Sequence, residues 1–210
     1  MKFTPLSDFW NSENLLFESF LSGDYSFNPS DFSSIKPLRS YSSSSIFESF
    51  NAFYHTSPAA ILNYFCHRAY LCPRKDFPQL FDFFCSKLGI GHFSYHELIK
   101  SSSALTYGII NEPLGPKGRV SFLHYLYILF ILECVRTCLG SYPLCITSGY
   151  RNDRLNTVVG GAPNSYHTKF RAVDIAVNAS DAASIKSHLE SLNIHPLEFI
   201  VGHGYLHLAF

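Results

Sequence analysis

One apolar run, FLHYLYILFILECV, is hydrophobic on nearly every face of a helix, so it predicts a helix buried all round rather than an amphipathic one. Ser121 is its expected start, and Gly140 suits its C-terminus. From Val120 to Leu132 the run covers about 13 residues and already contains His124, short of the roughly 20 needed to cross a bilayer. Glu133 and Arg136 follow at once, so a central core helix is expected rather than a membrane element. Upstream, AAILNYF after Pro58 predicts a short helix reaching Phe65, and FPQLFDFFCSKL predicts a second from Phe77 to Leu88, stopped by Gly89. Ser94 and Glu97 have the spacing of a capping box. A loop carrying Pro113, Gly115, Pro116 and Gly118 separates them from the apolar run.

Beyond Gly140 the pattern shortens to strand-like segments. Leu144 to Thr147 predicts a strand, and Asp153 to Pro163 a helical turn followed by a loop through Gly160-Gly161. Ala172 to Val177 is apolar with one polar break at Asp174, a second strand. Ser180 or Asp181 is the expected cap of a helix carrying Ala182, Ala183, Ile185, Leu189 and Leu192. Leu197 to Val201, a tight turn over Gly202 to Gly204, and Tyr205 to Phe210 predict an antiparallel hairpin. Helices first, then strands mixed with one helix, argue an α+β fold with a small, mostly antiparallel sheet and helices packed on it.

Composition refines this picture. A chain of 210 residues with 47% hydrophobic side chains can bury a sizeable core. Sixteen basic and sixteen acidic side chains cancel, which argues against a nucleic-acid partner. Twenty Phe and 13 Tyr make aromatic packing the expected content of the core. Residues 1–91 form a Ser- and Phe-rich N-terminal extension with short helices, in which FESF occurs at Phe17 to Phe20 and again at Phe47 to Phe50. That extension is expected to lie over the rest of the chain through its Phe residues and Trp10, with docking to a partner or cell wall, or simple disorder, as the alternatives. Six cysteines include no C-x-x-C pair, and Cys134 and Cys138 stand one helical turn apart among apolar residues. Free thiols are therefore expected, and Cys66, His67 and Cys72 fit no common zinc spacing. MKFTPLSDFWNSENLL lacks the n-region and h-region of a secretory signal, so synthesis in a cytoplasm is expected.

The candidate chemistry is concentrated between Ile146 and the C-terminal strand. His167 stands in a predicted loop, Asp174 on the strand that follows, and His207 in the apolar setting YLHLAF. Imidazole nitrogen and carboxylate oxygen are zinc ligands, and three of them leave the fourth tetrahedral position open for water. Spacing alone does not establish such a set.

The residues around it do more. Ser148-Gly149-Tyr150-Arg151, Asn156, Gly160-Gly161, Ser165-Tyr166-His167 and Ala172-Val173-Asp174 resemble the zinc D-Ala-D-Ala carboxypeptidase and phage L-Ala-D-Glu endopeptidase family, which cuts peptidoglycan stem peptides. His92 to Leu98, the SSSA stretch ending at Ala104 and Gly108 to Pro113 extend the likeness upstream, so it covers roughly residues 92–210. The resemblance implies a zinc (Zn2+) site formed by His167, Asp174 and His207. It also implies that Arg151 holds the substrate carbonyl or oxyanion, a task suited to a guanidinium's paired donors. Tyr150 and Ser165 would shape and support the substrate pocket. Zinc bound this way lowers the pKa of its water to about 7.

Two positions depart from the family pattern. Phe170 stands where a glycine is usual after the first His, so the turn is expected to manage without a residue free to adopt positive φ. The acid usually found just before the last His is missing from Ile200 to Leu206. His203 is the expected replacement as base or transition-state donor, with Glu198, the nearest acid, second and no effective base as the remaining case. His92, His96, His124, His188 and His195 carry no expected role.

The sequence therefore points to a zinc metallopeptidase acting on a peptidoglycan stem peptide beside a D-amino acid, as a monomer without a membrane span. Such enzymes occur in phages and bacteria, so the site of action is expected in the bacterial cell wall, reached through a holin-type partner or delivery in a particle. The rival is a catalytically inactive module that keeps the zinc fold and binds wall peptide or a protein partner. A membrane-associated structural protein is a third, weaker reading.

Overall fold

The computed structural model describes residues 58–140, 142–192 and 194–210. The expectations for the FESF segments and Trp10 fall outside the described residues. The chain divides into two compact units, Met1–Leu71 and Cys72–Phe210. Within the first, helix α1 (Pro58–Leu71) runs past the expected end at Phe65, because no breaker occurs until Pro73.

The second unit holds the rest: a 3-10 turn at Arg74–Asp76 and helices α2 (Phe77–Lys87), α3 (Tyr95–Ile99), α4 (Ser102–Thr106), α5 (Gly115–Phe122) and α6 (His124–Cys138). Strand β1 (Cys145–Ser148), helix α7 (Asp153–Val158), strand β2 (Ala172–Ala176), helix α8 (Ala179–Ser191), and strands β3 (Glu198–Val201) and β4 (Tyr205–Ala209) follow. The sheet is four-stranded and antiparallel throughout, in the order β1-β2-β4-β3, so the α+β expectation holds. Gly89 and Gly140 both have positive φ and stop α2 and α6 as predicted.

Two elements differ from the sequence reading. The apolar helix does not start at Ser121: one helix already begins at Gly115, with Pro116 in its first turn where a missing N–H costs nothing, and a break at Leu123 separates it from α6. The cap of α8 is Asn178 rather than Ser180 or Asp181, its side-chain oxygen accepting from the Asp181 N–H. Gly115 to Thr137 is long and apolar enough to span a membrane, but 61% of its apolar 18-residue stretch is buried within the protein, as a core helix requires.

The core grows around α6. Leu126, Leu129, Leu132 and Val135 are fully or almost fully buried, and Tyr125 donates to the Ala172 carbonyl at 3.1 Å, tying this helix to β2. Phe77, Phe81 and Tyr95 cluster with Phe122, at 5.0 Å between the Phe81 and Phe122 centroids, and Phe122 joins the cluster to Tyr125 of α6 at 5.1 Å. His124, at the start of α6, is half-buried with its Nδ1 shielded from solvent, and its pKa falls to about 4, because desolvation penalises the charged ring. Cys66, Cys72, Cys85, Cys134 and Cys145 are free thiols, as the spacing suggested.

Candidate metal centre

Half of the site is written in sheet register. Asp174 on β2 and His207 on β4 are directly paired across the ladder, and their neighbours Val173, Ile175, Leu206 and Leu208 point to the opposite face, where all four are fully buried. Alternation along two short strands therefore puts a carboxylate and an imidazole side by side on one face. His207 Nδ1 lies 2.7 Å from Asp174 Oδ1. On the outer strand β3, Ile200 pairs with His207 and Glu198 with Ala209, so Glu198 shares that face diagonally from His207. Its Oε2 is 3.0 Å from His207 Nε2. A carboxylate only accepts, so both ring nitrogens of His207 donate.

The other half comes from loops and needs special residues. His167 follows the turn after α7 and is 1% exposed. Its Nδ1 is 2.6 Å from the Gly149 carbonyl, which can only accept, so the proton sits on Nδ1 and Nε2 presents a lone pair. That Nε2 is buried and has no hydrogen-bond partner; it stands 3.3 Å from Asp174 Oδ1, without hydrogen-bond geometry. Gly149 can be nothing larger: a Cβ there would lie 2.4 Å from the Leu98 carbonyl oxygen, because the next residue's N–H donates to that oxygen at 2.7 Å. Gly161 is similarly confined by the Asn156 side chain, whose Nδ2 holds the Ala162 carbonyl at 2.8 Å.

Ser165 accepts the His167 N–H at its Oγ, and the Arg151 N–H donates to the His167 carbonyl at 3.3 Å. Arg151 Nη2 is 3.5 Å from Asp174 Oδ2, while its Nε is buried without a partner. Tyr150 is buried, its ring stacked on Phe170 with centroids 4.4 Å apart and planes inclined by 12°. Phe170 corrects the sequence reading: the turn does use positive φ, and the phenylalanine itself adopts it, at 60°. Such a backbone costs a bulky residue about 1–3 kcal/mol, and an aromatic pair returns about 0.5–1.5 kcal/mol beyond the apolar area it buries.

Electrostatics tie the three groups together. Burial works against the Asp174 charge, but a protonated imidazole facing it outweighs that and holds the carboxyl well below its usual range; with the His167 proton on Nδ1, His207 is the ring that supplies this. The hydrogen bond to Asp174 raises the His207 pKa against desolvation, with Glu198 adding to it. Desolvation lowers that of Arg151, offset in part by Asp174. His167 Nε2, an Asp174 oxygen and a His207 nitrogen all lie within 4.8 Å of one another. A lone pair and a carboxylate oxygen facing each other at 3.3 Å need a shared positive charge, and two imidazole nitrogens with one carboxylate suit zinc. The orphaned Nε2 is thus the local sign that a cation fits here.

The structure brings His167, Asp174, His207, Arg151, Tyr150 and Ser165 to one place. His203 lies on the exposed Gly202–Gly204 turn. Glu198 is found against His207 rather than free in the pocket. A Cβ at Gly202 would meet the ring of Tyr205, which is 40% exposed, so an acid there would require that ring to turn aside. Sequence reasoning missed Asn111, buried in the stretch GIINEP, which donates to the Ile99 and Tyr150 carbonyls and accepts the Asn152 N–H at 2.9 Å. A lone amide between Ile109-Ile110 and Pro113 was the available signal.

The sequence pattern of the family described as Peptidase M15 matches residues 91–209, more than half of the chain. No curated protein matches the chain.

Proposed function

This chain belongs to the peptidase M15 family of peptidoglycan-acting metallopeptidases, and from that premise we propose that it is a zinc-dependent hydrolase cutting stem peptides next to a D-amino acid. The observation that carries the reading is the buried, partnerless Nε2 of His167 converging on Asp174 and His207. In this reading His167 holds the metal through Nε2, Asp174 through its carboxylate and His207 through Nδ1. A zinc ion held there supplies Lewis acidity, acidifying water and polarising a peptide carbonyl.

The chain's own residues do the rest. The Gly149 carbonyl fixes the His167 tautomer, and Glu198 plays the same part for His207 by keeping a proton on Nε2. Arg151 is anchored beside the centre by Asp174, and its donors receive the negative charge that develops on the substrate oxygen. Tyr150 and Ser165 keep Arg151 and His167 in place and bound the substrate site. With Glu198 engaged on His207, proton transfer to the leaving amine falls to His203 on the exposed turn. The bacterial cell wall is the proposed place of action, in degradation or remodelling.

One observation favours the second reading, an inactive zinc-fold module that binds wall peptide. Both carboxylates at the centre, Asp174 and Glu198, are engaged by imidazoles, so neither is free as a base. Incubating zinc-loaded and chelated protein with purified stem peptides, followed by mass spectrometry, separates the two. Metal-dependent loss of D-Ala, or a split at L-Ala-D-Glu, establishes the enzyme and its bond. Binding of the same peptides without cleavage supports the module instead.

A further inference from the structure

The turn between His167 and Asp174 contains a feature that the metal reading does not use. Phe170 is the one non-glycine residue with positive φ among the described residues. A bulky residue keeps that conformation only where its surroundings over-determine it. Two sets of contacts do so here. The backbone turn is closed by the Lys169 and Arg171 N–H groups, both donating to the Tyr166 carbonyl, at 3.1 and 3.0 Å. The ring lies flat on Tyr150 at 4.4 Å and meets Phe122 edge-on at 5.8 Å.

Glycine would take this φ without strain, so the ring must offer something that glycine lacks. What it offers is a connection. Tyr150 sits between Gly149, whose carbonyl orients the His167 ring, and Arg151, whose N–H donates to the His167 carbonyl. Phe170 is on the same turn as His167. The stack therefore joins the two segments that must stay in register for Nε2 to face Asp174.

We infer that Phe170 is a positioning residue: its ring clamps the His167–Asp174 turn onto the Gly149–Arg151 segment and so holds the metal-binding geometry. The inference rests on the metal-centre reading. The ring buries apolar area as well as stacking, so its loss lowers folding stability too, and zinc affinity measured on folded protein is what separates the clamp from that general loss.

The test is zinc affinity, measured by chelator competition, alongside thermal unfolding of the chelated protein, for the wild type and Phe170→Gly, Phe170→Leu and Phe170→Tyr. Phe170→Gly relieves the strain but removes the clamp and the ring's buried area; its chelated form should melt below the wild type, and at a temperature where it is folded zinc binding should weaken about tenfold or more. Phe170→Tyr, which keeps a flat ring, should restore wild-type affinity. Phe170→Leu keeps the bulk and the strained backbone without the ring face and should also bind weakly. Wild-type affinity in the leucine variant overturns the clamp, even if the glycine variant fails to fold. So does wild-type affinity in a folded glycine variant. Failure of the wild type itself to bind zinc would sink the metal reading separately, before any variant is compared.

Discussion

The two halves of the centre are built by different means. Asp174 and His207 face each other because β2 and β4 are regular and paired residue for residue from Ala172↔Ala209 to Ala176↔Tyr205. Nothing beyond alternation and a buried opposite face is required of those strands. His167 and Arg151 stand on irregular backbone, and their placement depends on single residues: Gly149 under Leu98, Asn111 on the Tyr150 carbonyl, Asn156 on Ala162, and Phe170 at positive φ. A strand half tolerates substitution in the fold and fails only in chemistry. A loop half fails in both.

The sharpest way to test that contrast is Asp174→Asn. The strand keeps its shape, so the chelated variant should stay folded, but the carboxylate shared by both imidazoles is gone. Zinc content should fall from one per chain to none and peptide cleavage should vanish, read by metal analysis and by product mass spectrometry. A zinc-loaded, active Asp174→Asn protein would remove this carboxylate from the centre. Gly149→Ala should behave in the opposite manner. The added Cβ meets the Leu98 backbone at 2.4 to 2.9 Å, which no rotamer can relieve, so unfolding free energy should drop by about 1–3 kcal/mol, towards the upper end. Urea denaturation of the chelated protein measures it. Wild-type stability in this variant would mean that α3 does not press on the Gly149 segment.

The same contrast sets what could be read from the sequence. The hairpin of β3 and β4, the polar break at Asp174 and the helix ending at Gly140 follow from period and turn chemistry, and the structure repeats them within a residue or two. The glycine and asparagine positions of the loop half were visible as motif letters. Their physical reason, a backbone carbonyl or side chain pressed against them, depends on contacts distant in the chain and appears only in three dimensions. Phe170 was read as an absence of flexibility, when sufficient packing on Tyr150 and Phe122 can hold a bulky residue where glycine is usual. Glu198 was nine residues from His207 in sequence but is diagonal to it across one ladder step. Strand register decided its role, and register is not visible from spacing.

Glu198→Gln asks whether the strand half has its own support. Glutamine still accepts the Nε2–H but carries no charge, so His207 keeps its orientation and loses part of its basicity. Zinc affinity should fall about tenfold, at the lower end of what the loss of such a partner costs, with the chelated protein unfolding almost as the wild type does. His203→Ala, on the exposed turn, should instead leave zinc affinity unchanged and lower turnover by about 10²-fold or more. Unchanged turnover in that variant would exclude His203 as the proton carrier.

The smallest effect is on acidity, and its sign follows from the two shifts. In the metal-free protein His207 has a folded-state pKa above its ordinary 6.5, since Asp174 and Glu198 both favour its charged form. Its contribution to stability is complete below pH 6.5 and is lost as pH rises through the raised value. Asp174 has a folded-state pKa below its ordinary 3.8, so its contribution is present above 3.8 and lost as pH falls through the depressed value. This cluster therefore stabilises the chelated chain most between the two ordinary values, on the acid side of neutrality. Zinc has the opposite preference, because His207 must release the Nδ1 proton before it can act as a ligand. Melting temperatures of chelated and zinc-loaded protein, compared from about pH 5 to about pH 9, should thus diverge as pH rises, with the gap levelling off above the His207 pKa. In Glu198→Gln one of the two carboxylates that raise that pKa is gone, so the divergence should begin at lower pH. A gap that is the same at every pH would mean that zinc does not displace the His207 proton, and that the metal takes its third ligand elsewhere.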